Sequence, residues 1–407
     1  MKNTVASRWT RLILGVLVLL FAGVIYSWSI LKAPLALEFG WTPAQLAVNY
    51  TVTIICFCLG GLASGLLAGK ISSRLRLLCA AILVFSGFFI TGRLSGASLL
   101  PLYLSYGVMA GLGIGIVYNV VIADVNAWFP DRPGLSSGCL MMGFGFATLL
   151  LGNICGRLIN LPGFGWRATF TALAAAIAAV LVLASLLIQP PPRDLRLPAP
   201  RRKKTVSGLS RDFQPLDLRG RALLKRPAFW LMFAFFTLLA ALGNSAISFA
   251  KDFALAQGGT EQAAISVVGL LAVCNGLGRL TSGSLFDRFG ARLTQYAASL
   301  AALAAPLLAL WAISRASFPL AVVALCLCGF AFGFSPTLTA ALVKAFYGAK
   351  DFPLNFSMMN LVLIPASFAP SLAGAMITNS GAYSGSFLML LGFSLAGLAF
   401  NLCVRRP

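Results

Sequence analysis

The chain has no histidine among its 407 residues. That removes the usual proton carrier near neutral pH and the commonest metal ligand. Acids are scarce: 10 Asp and Glu stand against 31 Lys and Arg, and charged residues of both signs make up only 10% of the sequence. A water-soluble domain carries about 25%. The nine cysteines (Cys56, Cys58, Cys79, Cys139, Cys155, Cys274, Cys326, Cys328, Cys403) show no zinc or redox spacing in a polar setting. They fall in or beside apolar segments and read as small apolar filler. No nucleophile–base pair and no metal-ligating cluster can be assembled, so the sequence does not read as an enzyme and no cofactor is expected. The aromatics sit inside apolar segments rather than beside basic runs. The net charge of +21 therefore does not point to nucleic acid.

What is present is apolar length. Hydrophobic residues make up 59% of the chain, and a bilayer core needs about 20 apolar residues per helix. Twelve such segments can be marked: Leu12–Leu37, Leu46–Ala68, Leu77–Leu94, Leu99–Ala123, Leu135–Cys155, Ala168–Ile188, Ala228–Ala250, Ala264–Phe286, Leu293–Ile313, Leu320–Val343, Leu354–Ile377 and Tyr383–Cys403. The first is too long for a cleaved signal and lacks a small-residue cleavage pattern, so it reads as a true span. Lys and Arg cluster in alternate loops and at both ends, 24 of the 31 in positions this scheme makes cytoplasmic. The positive-inside rule then places both termini in the cytoplasm of a multi-pass protein of the cell (inner) membrane. The fold class expected is an all-α polytopic membrane protein.

One stretch breaks the pattern. Residues 189–226 hold eleven Lys and Arg, three Asp and the prolines Pro190, Pro191, Pro192, Pro198 and Pro200. It reads as a solvated basic linker able to lie against an anionic leaflet. It separates an N-terminal six-helix bundle, 1–188, from a C-terminal one, 227–407. The halves repeat: Gly65–Arg76 lies 218 residues before Gly283–Arg292, with Gly69 where the second copy has Asp287. Two such halves imply a pseudo-two-fold transporter with its site near mid-membrane.

The segment Val267–Arg292 carries the chemistry. Arg279 interrupts an apolar helix, at a cost of about 2.5–3.5 kcal/mol on insertion scales, and such a residue marks a substrate or ion path. Asn275 lies one turn earlier on the same face. A five-donor fork with an amide beside it can hold a carboxylate bidentately. The chain is therefore expected to carry small carboxylates, with Arg279 and Asn275 as the anion site. Tyr118 and Asn119 in the fourth segment, and Tyr26 and Trp28 in the first, are further candidates for substrate contact. Asn355, Asn360 and Tyr383 are weaker ones. Asp252 and Glu38 near the outer face are the candidate proton-coupling groups, against a bland pairing with Lys251 and Lys32. Asp124 reads as a structural partner for a loop arginine. The turn Gly283-x-x-x-Asp287-Arg288-x-Gly290-x-Arg292 closes the segment.

On that turn the chain resembles the major facilitator superfamily. Through Tyr26-Ser27-Trp28, Gly113–Tyr118, Trp128–Gly138 and Asn275–Arg279 it is similar to the branch joining oxalate/formate antiporters and monocarboxylate transporters. The resemblance implies alternating access by rocking of two halves, a substrate carboxylate on the eighth-helix arginine, and a conformational latch formed by Asp287, Arg288 and Arg292. Two departures bear on substrate. Oxalate carriers pair that arginine with a lysine on helix eleven, but the matching place here is about Leu363, and no charge occurs from Phe352 to Val404. One guanidinium balances one carboxylate, so a monoanion such as L-lactate or pyruvate fits better than a dianion. Animal monocarboxylate carriers have a protonated aspartate where Asn275 stands, and a first-helix lysine near Ile30, with only Lys32 close by. The expected partners are thus a small monocarboxylate and a proton, handled by a monomeric unit in a lipid bilayer. The alternatives are a carboxylate exchanger and, outside transport, a membrane sensor of the same acid.

Overall fold

The computed structural model describes residues 2–96, 98–192, 195, 197, 198 and 216–404. The centre of the basic linker (199–215), Arg193, Asp194, Arg196 and the end Arg405–Pro407 lie outside the described residues. Twelve helices are long and apolar enough to cross a membrane: α1 Arg8–Phe39, α2 Gln45–Leu67, α3 Ser73–Thr91, α4 Leu100–Ala127, α5 Pro133–Ile159, α6 Gly165–Leu187, α7 Pro227–Ala256, α8 Glu261–Phe289, α9 Ala291–Arg315, α10 Phe318–Tyr347, α11 Phe352–Ser380 and α12 Ser384–Cys403. No strand is present among the described residues.

Local chemistry sets the ends of these helices. Thr42 caps α2 in a reciprocal box with Gln45, the two bonds measuring 3.3 and 2.9 Å, which satisfies two of the orphan amides at a helix start. Ser72 and Thr260 each accept from one such amide, that of Leu75 at the start of α3 and that of Ala263 at the start of α8. Capping by Ser72 starts α3 four residues before the apolar run at Leu77. The first helix extends well before Leu12, from Lys2, and there Arg8 lies 4.9 Å over the Phe129 ring and Arg11 4.1 Å over Trp128. These are cation–π contacts that hydropathy does not register. Regular α-geometry breaks at a 3₁₀ turn at Gly23–Ser27, at π-helical stretches at Tyr103–Ala110 and Thr148–Gly152, and at turns after Asn360 and Ala366 within α11.

The chain divides into two compact units that exchange short segments. One takes Met1–Pro130, Gly143–Ala199 and Phe356–Met358, and the other takes Asp131–Met142, Pro200–Asn355 and Met359–Pro407. In the first unit, α2 packs along α4 and α3 along α6. An aromatic core of Trp28, Phe88, Tyr106 and Phe170 fills the interior, with Trp28 and Tyr106 centroids 4.5 Å apart. In the second unit, α8 and α9 both pack along α10. Asn401 reaches from α12 to Ser299 on α9 at 2.9 Å, and Ser394 to the Ala302 carbonyl at 2.8 Å. Such interhelical hydrogen bonds hold helices together in lipid, where apolar burial gives little net drive.

The end of the linker is bound. The Leu216 amide donates to the Phe346 carbonyl at 3.0 Å, and Arg219 pairs with Asp351 at 3.4 Å. Asn355 donates to the Leu218 carbonyl at 2.7 Å. A weak sequence candidate for substrate contact is thus occupied in strapping the linker to the start of α11.

Candidate functional site

Arg279 sits deep in α8 and is 2% exposed, with Asn275 one turn earlier at 7%. Its Nε donates to Asn275 Oδ1 at 3.1 Å, and Nη1 donates to the carbonyl of Met141 on α5. Both are neutral oxygen acceptors that fix the plane of the guanidinium. The i, i+4 spacing made the first contact readable from sequence. The second was not readable, because a backbone carbonyl carries no side-chain signal.

Two glycines bring α5 this close. A methyl group at Gly138 would lie 2.6 Å from the Arg279 carbonyl oxygen, and one at Gly134 would lie 2.8 Å from Asp287 Oδ1. Asp287 accepts from the Gly134 amide at 2.8 Å and the Leu135 amide at 2.7 Å. A carboxylate from one helix thereby caps the N-terminus of another, taking two orphan amides at the positive end of the dipole. Pro133 begins α5, where a missing amide costs nothing. The run Pro133-Gly134-Leu135-Ser136-Ser137-Gly138 thus has a physical reading as a helix start shaped to lie on α8. Lys344 on α10 interacts electrostatically with Asp287 and Asp131. Arg288 and Arg292 have exposed side chains, Arg288 lying 5.2 Å over the Phe289 ring. Of the three residues of the expected latch, it is Asp287 that makes the interhelical contact.

In the first unit, Tyr26 and Tyr118 come together around Phe144, with centroids 5.2 and 5.1 Å away. Tyr118 also meets Phe57 at 5.1 Å and Phe356 at 5.9 Å, and is 5% exposed. Asn119, beside it in the chain, is 1% exposed. Trp28 belongs elsewhere: its indole N–H donates to the Leu46 carbonyl at 3.0 Å, and its ring packs on Tyr106. It ties α1 to α2.

Glu38 is not paired with Lys32. Its carboxylate accepts from Trp166 Nε1 at 2.7 Å and from Arg167 at 3.0 and 2.6 Å, and Arg167 also reaches the Leu94 carbonyl. Lys251 pairs with Glu261 at 2.5 Å, leaving the neighbouring Asp252 exposed at the end of α7, in electrostatic contact with Lys251 and Tyr383. Asp124 on α4 hydrogen-bonds Ser73 and interacts with Arg76. Arg76 in turn donates to Ser64 and Ser73 at 3.0–3.1 Å. Among the described residues no group of three or more Cys, Asp or Glu could hold a metal.

Comparison with known proteins agrees with this architecture. Human monocarboxylate transporter 12 is 26% identical over 371 residues, covering 84% of this chain and 69% of that protein. The oxalate:formate antiporter of Oxalobacter formigenes is 27% identical over 258 residues, 62% of this chain and 58% of the antiporter. The solved structure of FucP in the outward conformation superposes with a TM-score of 0.73 over 98% of this chain and 100% of that one, at 16% identity, which speaks to fold alone. The model of the Major Facilitator Superfamily matches residues 12–250 and 235–407. The chain belongs to the Major Facilitator Superfamily and is a multi-pass membrane transporter.

Proposed function

We propose that this transporter carries small monocarboxylates, L-lactate, pyruvate or similar, by alternating access in symport with a proton. The observation that carries the reading is Arg279: a guanidinium 2% exposed on a membrane helix, oriented by Asn275 and the Met141 carbonyl. Names among the relatives, a monocarboxylate transporter and an oxalate:formate antiporter, support the carboxylate class. The lack of any charge from Phe352 to Val404 favours one negative charge on the substrate over two. Tyr26, Tyr118 and Asn119 supply hydroxyl and amide groups that suit a 2-hydroxy or 2-keto substituent.

The mechanism is charge balance. A bound carboxylate neutralises Arg279, and the loaded, neutral site passes the low-dielectric state at lower cost than the empty one. On the return, Asp252 serves as the exchanging acid, gaining or losing a proton once per cycle. The two bundles, 1–188 and 227–407, are the rocking bodies, and Asp287 on the α5 terminus is the latch that is made and broken. The protein works as a monomer in the cell (inner) membrane with both termini in the cytoplasm.

The test is uptake of labelled L-lactate into vesicles holding the purified protein, with and without an inward proton gradient. Accumulation driven by the gradient and collapsed by an uncoupler is expected. Uptake only into vesicles preloaded with another carboxylate would replace symport by exchange. No uptake of any monocarboxylate would overturn the reading.

A further inference from the structure

The 218-residue repeat extends beyond the loop motif into a close helix crossing in each unit. In the first unit, α2 and α4 touch backbone to backbone. A methyl at Gly111 would lie 2.8 Å from the Thr53 carbonyl, one at Gly60 would lie 2.9 Å from Leu112 Cα, and one at Gly115 would lie 2.9 Å from the Gly61 amide. In the second unit, α8 and α10 repeat this. A methyl at Gly329 would lie 2.5 Å from the Leu271 carbonyl, one at Gly278 would lie 3.0 Å from the Phe330 carbonyl carbon, and one at Gly333 would lie 2.8 Å from the Arg279 amide nitrogen. Every glycine and every backbone partner in the second set is its counterpart plus 218. The seam is one structure written twice, and the copies differ in what they present. Phe57 and Gly61 stand in the first where Asn275 and Arg279 stand in the second.

We infer that Gly333 and Gly278 are positioning residues for the anion site, fixing the Arg279 and Asn275 backbone so that the guanidinium stays within reach of Asn275 Oδ1 and the Met141 carbonyl. This rests on the reading of Arg279 as the carboxylate site. The obstacle to a larger residue at 333 is backbone on every side, Asn275 O, Arg279 N and Gly278 C. Backbone cannot swing away as a side chain does, so α8 and α10 have to move apart. Relief to ordinary contact at about 3.5 Å takes a displacement of about an ångström or more in a close-packed crossing. The fork at the end of a long side chain inherits that error, and Gly138 on the Arg279 carbonyl leaves it little room to correct.

L-lactate binding to the full-length protein in lipid nanodiscs tests this, with thermal midpoints measured in parallel. Gly333→Ala and Gly278→Ala are expected to raise Kd about tenfold or more, the scale of a 1 Å misplacement, while the protein remains folded. Gly329→Ala, eight residues from Arg279 along α8 at Leu271, and its first-half counterpart Gly111→Ala suffer the same steric insult. They are expected to lose thermal stability but keep Kd within about twofold, as independent sites do. Arg279→Gln is the reference for loss of the site. Equal weakening by all four glycine variants, or normal Kd in Gly333→Ala and Gly278→Ala, would overturn the positioning role while leaving Arg279 as the anion site. If those two fail to fold when the other two fold, the role is likewise overturned, since positioning requires a folded weak binder. Wild-type affinity in Arg279→Gln, or no binding of L-lactate by the wild type, would overturn the functional reading and this inference with it.

Discussion

Arg279 is the residue on which the functional reading turns, and its environment states what a substitution should do. Arg279→Lys keeps the charge but loses the fork that serves Asn275 and Met141 together. A lysine is a point donor and does not replace a bidentate arginine. L-lactate uptake is expected to fall to background in Arg279→Lys and Arg279→Gln with unchanged yield and elution of folded protein. A fully active lysine variant would remove Arg279 from the site. The two acids read as proton carriers part company in the structure. Glu38 is committed to Arg167 and Trp166 in an exposed cluster, where pairs contribute at most about 1 kcal/mol. Asp252 is exposed beside Lys251, whose ammonium is held by Glu261. Asp252→Asn is therefore expected to abolish gradient-driven accumulation while sparing exchange, and Glu38→Gln to retain both. Gradient-driven uptake in Asp252→Asn would reassign the proton.

At the scale of helices, the contact to watch is Asp287 on the start of α5. Two charge-assisted bonds of 2.8 and 2.7 Å to Gly134 and Leu135 are worth about 1.5–3 kcal/mol for a bond to a charged group. Asp287→Asn, which keeps one acceptor oxygen and discards the charge, is expected to lower the thermal midpoint and to loosen the α5 start, read as faster amide exchange at residues 134–137. Protection unchanged from wild type would show that the cap is not the holding contact. The counterpart in the first half is worn. α2 ends at Leu67, and Gly69, the match of Asp287, takes a left-handed φ of +82° in the turn. The sequence showed that substitution as a lost acid. Only the structure showed that the helix stops short there, so the first copy has no side chain in place to act as a cap.

For the whole molecule, twelve spans and the distribution of Lys and Arg predict the orientation. A fluorescent protein fused after Pro407 should glow and an alkaline phosphatase there should be inactive, because only the first folds and only the second fails on the cytoplasmic side. The opposite pair of results would invert the topology. The family and the repeat were legible in the Gly283–Arg292 turn and its worn first-half copy, and the span count because it rests on a property that a bilayer imposes on every residue of a segment. Apolar length must match bilayer thickness, and cations are biased toward the cytoplasmic loops. Arg279 with Asn275 was legible for a related reason: a charge in an apolar run stands out against its neighbours, and i, i+4 geometry is local.

Contacts made by backbone atoms were not legible in this way. Nothing in the letters Met141 or Gly333 says that one carbonyl receives a guanidinium or that a methyl group on the other would run into the amide of Arg279. Trp28 and Asn355, both candidates for substrate contact, donate to the Leu46 and Leu218 carbonyls, two bonds that the sequence does not announce. The sequence by itself determined the helices, their number, their repeat and the arginine deep in the eighth segment, because hydropathy and helical period are summed along the chain. Tertiary structure decided which polar group serves which partner, because hydrogen bonds are made at about 3 Å between residues that lie far apart in the chain.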